Sequence, residues 1–126
     1  MRITYLHQYY NTPSMPGGTR SHEFARRLVA RGHSVTMITT GRDTSVGPTW
    51  RVTHEDGIEV HWAKVPYANS MGAGRRVRAF VEFGALASAR ASAIRCDLVV
   101  ATSTPLTIAI PAFIAARCQG VPMVFE

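Results

Sequence analysis

Lysine is nearly missing from this chain. Fourteen basic residues face eight acidic ones, giving a net charge of +6, yet thirteen are arginine and only Lys64 is lysine. Arginine suits bidentate contacts to phosphate and carboxylate, although GC-rich coding produces the same bias without functional cause. Charge alone does not choose between nucleic acid, anionic lipid and phosphorylated substrates. Cysteine is scarce too. Cys96 and Cys118 show neither CxxC spacing nor a histidine at metal-ligand distance, so both are expected to be buried free thiols in a reducing compartment. The longest apolar run, Leu106 to Ala116, falls short of the roughly 20 residues a spanning helix needs. No signal-type stretch follows Met1 and Arg2, so the expected setting is cytoplasmic, soluble or peripheral at the inner face of a membrane. Glycine and proline are not in excess and no segment is of low complexity, which excludes fibrous and disordered classes. With 126 residues and 46% hydrophobic content, the chain suffices for one domain with a real core, not two.

Several catalytic and binding signatures are also lacking. A dinucleotide site needs G-x-G-x-x-G directly after a strand and an acidic residue ending strand two. Here the loop is longer, the pattern is Gly17-Gly18, and the second strand ends in Thr39-Thr40-Gly41. No helix-turn-helix, aromatic RNA-binding strand or zinc spacing supports nucleic-acid binding. No two histidines have metal spacing, no Ser-His-Asp set can be assembled, and nothing visible requires a metal or other cofactor.

What is present alternates. Arg2 to Tyr10 opens with a β-favouring run, followed by a loop over residues 11–18. Thr19 or Ser21 can cap a helix with Phe24, Ala25, Leu28 and Val29 on one face, stopped by Gly32. Ser34 to Thr40 reads as a second strand. Trp50 to His54 and Ile58 to Val65 flank Glu55-Asp56-Gly57, a strong hairpin signal. Arg75 to Arg95 is a long helical run with Val77, Phe80, Val81, Gly84, Ala87, Ala91 and Ile94 at helical spacing. Asp97 to Thr102 is a strand covered on both faces. Pro105 opens a further helix ending before Gly120, and Val121 to Phe125 is a last strand. The fold class is therefore α/β: a Rossmann-like, open, mainly parallel sheet with helices on both faces. An end in or just after a strand is expected of a fragment.

Two glycines before a helix let backbone approach a phosphate, and the helix's free N–H groups favour an anion there. Gly17, Gly18 and the nearby Arg20 are thus candidates for a phosphate-side loop; alternatively the glycines only make a turn and Arg20 is solvated. His7, Gln8 and Tyr9 lie at the carboxyl end of strand one, where open parallel sheets present ligands, or they pack under the loop. Arg75, Arg76 and Arg78 open the long helix, where cationic charge opposes the dipole and invites an external anion, at a membrane surface or on an acceptor phosphate. The other reading is a solvated helix end, with Phe80 and Phe83 in the core. His22 is expected at the surface or as a cap, His33 in a structural turn, and His54 and His61 in solvent.

Leu28-Val29-Ala30-Arg31-Gly32-His33-Ser34-Val35-Thr36-Met37, after the Gly17-Gly18 loop, resembles a pattern of family 4 retaining glycosyltransferases of the GT-B fold. The likeness continues through Asp56-Gly57-Ile58-Glu59-Val60, Tyr67-Ala68-Asn69, residues 76–83, Asp97 to Pro105 and Gly120 to Glu126. It is nearest to members that build bacterial surface polysaccharide. The resemblance implies an N-terminal, acceptor-side domain spanning residues 1–126, with the donor-binding domain absent and the fragment inactive alone. It also implies a nucleotide-sugar donor, a glycan or lipid-linked acceptor, and the Gly17-Gly18 loop at the interdomain cleft. Some relatives carry histidine where this chain has Ser103-Thr104, which places these two on the acceptor side; the catalytic residues stay unassigned. A nucleotide-sugar epimerase of the same architecture and a non-catalytic anion- or nucleotide-binding module are the rivals.

Overall fold

The computed structural model describes residues 1–41, 47–65, 72–103 and 105–126. Six strands form one sheet: β1 (Arg2–Leu6), β2 (Ser34–Gly41), β3 (Trp50–Glu55), β4 (Ile58–Lys64), β5 (Leu98–Ala101) and β6 (Met123–Phe125). Their order is β3-β4-β2-β1-β5-β6. All neighbours are parallel except β3 and β4, the expected hairpin. Asp56 (φ 51°) and Gly57 (φ 81°) both take the left-handed backbone that a tight two-residue hairpin turn demands.

Helices α1 (Arg20–Ala30), α2 (Ala73–Ala93) and α3 (Ala109–Gln119) cover the two faces of the sheet. The period of two along each strand sorts the side chains. Ile3, Tyr5, Val35, Met37, Ile58, Val60, Trp62 and Val100 point to the α1 side, joined there by Ala25 and by half-buried Leu28 and Val29. Leu6, Ile38, Ala63, Val99 and Ala101 point the other way, onto α2 and α3. Alanines dominate the buried stripes of these two helices: Ala79, Phe83, Ala87 and Ala91 on α2, and Ala112, Ala115 and Ala116 on α3. Small residues let the helices lie close to the sheet and to each other, at the expense of buried area per residue.

Helix boundaries follow local chemistry. Thr19 stands at the N-cap of α1, but its side chain makes no capping bond; its carbonyl takes the Glu23 N–H at 2.9 Å. Gly120 ends α3 in the left-handed conformation (φ 64°). Pro105 precedes a short 3₁₀ turn, Leu106–Ile108, that feeds α3.

Four expectations need correction. His22 is neither surface nor cap but wholly buried, because the Asp56 turn folds over it. His61 is buried rather than solvated, bonded to Glu59 at 2.6 Å and to the Arg90 guanidinium at 2.9 Å. Cys118 is exposed, since it falls on the outer side of α3; Cys96 is buried as expected. Val77 and Val81, which share the helical spacing of the core residues, point outward instead.

Candidate functional site

Because β1, β2, β4, β5 and β6 run parallel, their carboxyl ends share one edge of the sheet, and the ladder continues past the formal strand ends there. The His7 N–H donates to the Ile38 carbonyl (3.1 Å), that of Thr102 to Leu6 (3.1 Å), that of Glu126 to Ala101 (2.9 Å) and that of Ser103 to Glu126 (2.8 Å). His7, Ser103 and Glu126 are thereby pinned by backbone bonds along one edge. The Gln8 carbonyl accepts three bonds, from the Thr40 N–H (3.1 Å) and from the Thr39 and Thr40 hydroxyls at 3.0 and 2.6 Å. The chain leaving β1 is therefore anchored before it enters its loop.

The loop that follows is held from below. Tyr10 is buried, and its N–H donates to Thr39 Oγ1 at 3.2 Å. Its hydroxyl bonds His22 Nδ1 at 2.6 Å, and His22 Nε2 bonds Asp56 Oδ2 at 2.8 Å. This relay ties the loop, the first turn of α1 and the β3–β4 turn together. Burial is the first cause raising the Tyr10 phenol far above its ordinary pKa, with the charges of Glu55 and Asp56 adding to it. Asn11 then donates from Nδ2 to the Gly18 carbonyl at 3.1 Å. A Cβ on Gly17 (φ 115°) would stand 2.6 Å from that same Nδ2, whereas a Cβ on Gly18 would meet nothing. The two glycines thus differ: Gly17 is required by the loop's own conformation, and Gly18 leaves open space beside the helix start.

Arg20, the first residue of α1, forms an ion pair with Glu126. Both side chains are well exposed, so an arriving phosphate can compete for the guanidinium in water. His7 sits near enough to feel Arg20: burial first, and then that charge, lower its pKa from 6.5 to about 4. The imidazole is neutral at pH 7, and its buried Nδ1 has no hydrogen-bond partner among the described residues. The same holds for Gln8 Nε2, on a side chain only 1% exposed.

The structure therefore brings His7, Gln8, Arg20 and Ser103 to one edge, with the Gly17-Gly18 loop leading into α1 and Tyr9 half-buried beside Gln8. Thr104 and the Tyr67-Ala68-Asn69 segment lie outside the described residues. Arg75, Arg76 and Arg78 do not join the loop: they begin α2, which packs on the opposite face of the sheet from α1. Sequence reasoning missed Glu126, Tyr10, His22, Asp56 and Asn11. The Glu55-Asp56-Gly57 turn was visible, but nothing in the pattern marks which helix residue its carboxylate reaches.

An open, mostly parallel six-stranded sheet with helices on both faces defines the class, a Rossmann-like α/β domain. Residues 17–126 match the glycosyl transferase 4-like domain, and the chain belongs to that family. No curated protein matches the chain. Among solved structures, the C-terminal domain of a Pyrococcus furiosus hydrogenase is similar at 15% identity and a TM-score of 0.66, over 99% of this chain and 90% of that one. The glycotransferase of kitacinnamycin is similar at 24% identity and a TM-score of 0.58, over 98% and 29%. An E. coli trehalose-6-phosphate structure bound with UDP-2-fluoro glucose is similar at 8% identity and a TM-score of 0.54, over 81% and 27%. This chain thus spans under a third of each of the last two. At such identities these likenesses speak to fold, which is shared across unrelated activities; the family membership rests on the sequence match.

Proposed function

We propose that this chain is the acceptor-side domain of a retaining glycosyltransferase. The reaction moves a sugar from a nucleotide-sugar to a glycan or lipid-linked acceptor, in the assembly of bacterial surface polysaccharide on the cytoplasmic side of a membrane. One observation carries the reading. The open backbone at Gly18, the start of α1 and the Arg20 guanidinium converge on the edge that also holds neutral His7 and the Glu126 carboxylate.

Each element has a role in that reaction. In the transfer, the anomeric carbon–oxygen bond to the diphosphate breaks while the acceptor oxygen bonds to the anomeric carbon; the acceptor hydroxyl's proton passes to the departing phosphate oxygen, where negative charge grows. Arg20 and the α1 amino end meet that charge. The Glu126 carboxylate accepts a hydrogen bond from an acceptor hydroxyl, and neutral His7 orients it. The remaining contacts to the nucleotide-sugar fall to a second domain, a view supported by the small share that this chain spans of the kitacinnamycin glycotransferase and of the structure bound with UDP-2-fluoro glucose. By itself the domain binds nucleotide-sugar weakly and does not turn over.

The test is to incubate the enzyme containing this domain with a panel of nucleotide-sugars, with and without a bacterial lipid extract. The expected result is nucleoside diphosphate release that depends on the extract, with label passing to the lipid phase. Acceptor-independent conversion of the sugar nucleotide to its epimer, or no release with any donor, overturns the reading.

A further inference from the structure

Strand β3 ends the sheet, and its outer side is unpaired among the described residues. Exposed edges are usually blunted by lysine, proline, a bulge or a covering element. Residues 50–55 hold neither lysine nor proline, and the ladder to β4 runs without a bulge from the Glu55–Ile58 pair to the Trp50–Ala63 pair. In an antiparallel ladder, pairs that exchange both hydrogen bonds alternate with pairs that exchange none. The two-residue turn makes Glu55 and Ile58 a bonded pair. At the other end of the same series, the Lys64 N–H donates to the Thr49 carbonyl at 2.7 Å. Positions 49, 51, 53 and 55 therefore spend their backbone groups on β4, while Trp50, Val52 and His54 direct theirs outward.

Charge identifies the occupant of that edge. Arg51, Thr53 and Glu55 stand opposite Trp62, Val60 and Ile58, on the α1 side of the sheet. Arg51 is exposed, its guanidinium 5.3 Å from the centre of the Trp62 ring, and Glu55 is half-buried. Neither has an ion-pair partner among the described residues. They cannot pair with each other, because four residues of a strand span about 13 Å. A second β3 laid antiparallel to the first, with a two-fold axis at Thr53, sets Arg51 of each copy against Glu55 of the other. The outward backbone groups permit that register. Val52 and His54 exchange hydrogen bonds on both sides of the axis, while Arg51–Glu55 and Thr53–Thr53 become the closer, non-bonded pairs. Opposite charges in such pairs attract. Shifting the register by two residues sets one of the two charges against Thr53 and loses the match. A strand fits both charges only if it carries them in reverse order, and an antiparallel copy of β3 does.

We infer that two copies of this chain join through their β3 edges, antiparallel about Thr53 and with reciprocal Arg51–Glu55 contacts, so that the two sheets continue as one. The two-fold axis stands perpendicular to the sheet, which puts both α1 faces on the same side. The two carboxyl edges point in opposite directions, and the pairing covers neither candidate site. It does cover Val52, an apolar side chain 45% exposed in the single chain. The pairing does not depend on the transfer reaction, and the state of assembly tests it without any activity assay.

The test is sedimentation velocity of the chain over a concentration series. A reversible dimer is expected, since one edge strand offers less area than an obligate interface. Arg51→Glu sets like charges against each other twice across the axis and should weaken the dimer at least about tenfold. Glu55→Arg should do the same, and the swap R51E/E55R should return to within about threefold of the wild type. Val52→Pro removes an outward N–H that β4 does not use, so it should leave a monomer with an unchanged circular dichroism spectrum. Thr53→Cys, in a Cys118→Ser background, should give a disulfide-linked dimer on mild oxidation, because the Cα atoms of a closer pair stand about 4.5 Å apart. A wild type that stays monomeric over the series overturns the inference, as does a dimer in which T53C does not cross-link. A dimer that persists in R51E and V52P assembles through another face and overturns it too. So does a dimer that R51E weakens and the swap fails to restore.

Discussion

The two faces of this one sheet are held by different means. On the α1 face, aromatic rings and a buried polar relay do the fastening. Tyr10 lies against Trp62 and His22 with ring centroids 5.8 and 5.9 Å apart, and its hydroxyl begins the chain to Asp56. On the α2–α3 face, alanines allow close approach and, among the described residues, Phe83 is the one large ring wholly buried there. The first face is directional, because hydrogen bonds fix where the loop of the candidate site must lie. The second is held mainly by close apolar packing, with the Arg90–His61 and Gln119 hydrogen bonds at its margin, and leaves its outer side apolar. Directional bonds lie beneath the loop of the candidate site, and close apolar packing lies beneath α2 and α3.

The largest expected effect tests the packed face. Phe83→Ala removes the one wholly buried ring that this alanine-lined layer has among the described residues, so urea denaturation should register a loss of about 3–5 kcal/mol. A loss below 1 kcal/mol would mean that the face is not held by close packing. The bonded face should respond in another way. His22→Leu leaves the Tyr10 hydroxyl buried without its acceptor and should cost about 2–3 kcal/mol. Adding Tyr10→Phe should recover much of that, since removing both partners of a buried bond is cheaper than removing one. Strictly additive losses in the double variant would show that the relay contributes no coupling.

Histidine 7, at the edge where the two faces meet, links the comparison to pH. Its folded pKa of about 4 lies below the ordinary 6.5, so the native state binds this proton less readily than the unfolded chain. The stability that rests on neutral His7 is complete above pH 6.5 and declines as pH falls toward 4. The full effect is about 2 kcal/mol after solvent screening. His7→Gln should flatten the stability profile through that window. A profile of unchanged slope in the variant would assign the acid sensitivity to other groups.

Much of the architecture was legible because it depends on short-range patterns. The Asp56-Gly57 turn, the left-handed Gly120 stop and the alternation of apolar residues in β1, β2 and β4 are each written within a few residues. The carboxyl edge with His7 and Gln8 followed from strand direction alone. Residues whose role depends on distant partners were not legible. His22 looks like any polar residue in a first helical turn until Asp56, thirty-four positions later, closes over it. Glu126 gains its meaning only from the Arg20 guanidinium. Val77 and Val81 obey the helical period, yet the seam facing the sheet is set one step round by Ala79 and Phe83, and a stripe this wide does not say which of its edges is inside.

The smallest expected effects separate the two glycines of the loop. Gly17 is at φ 115°, with Asn11 Nδ2 2.6 Å from where a Cβ would be. Gly17→Ala therefore strains the backbone and presses on the side chain that holds the Gly18 carbonyl. It should cost about 1–2 kcal/mol, from the penalty that L residues carry in this region. Gly18 is not at positive φ and has nothing within 4 Å of a built Cβ, so Gly18→Val should change stability by less than about 0.5 kcal/mol. In the enzyme that contains this domain the ranking should reverse. A valine at position 18 fills the space through which a phosphate reaches the backbone and the start of α1, so turnover should fall at least about tenfold, the effect of losing one phosphate-binding contact. Unaltered turnover in a stably folded Gly18→Val enzyme would take the loop out of the ligand site and leave it a turn held by Asn11. Lost turnover with unaltered stability would separate ligand approach from loop conformation at two adjacent residues.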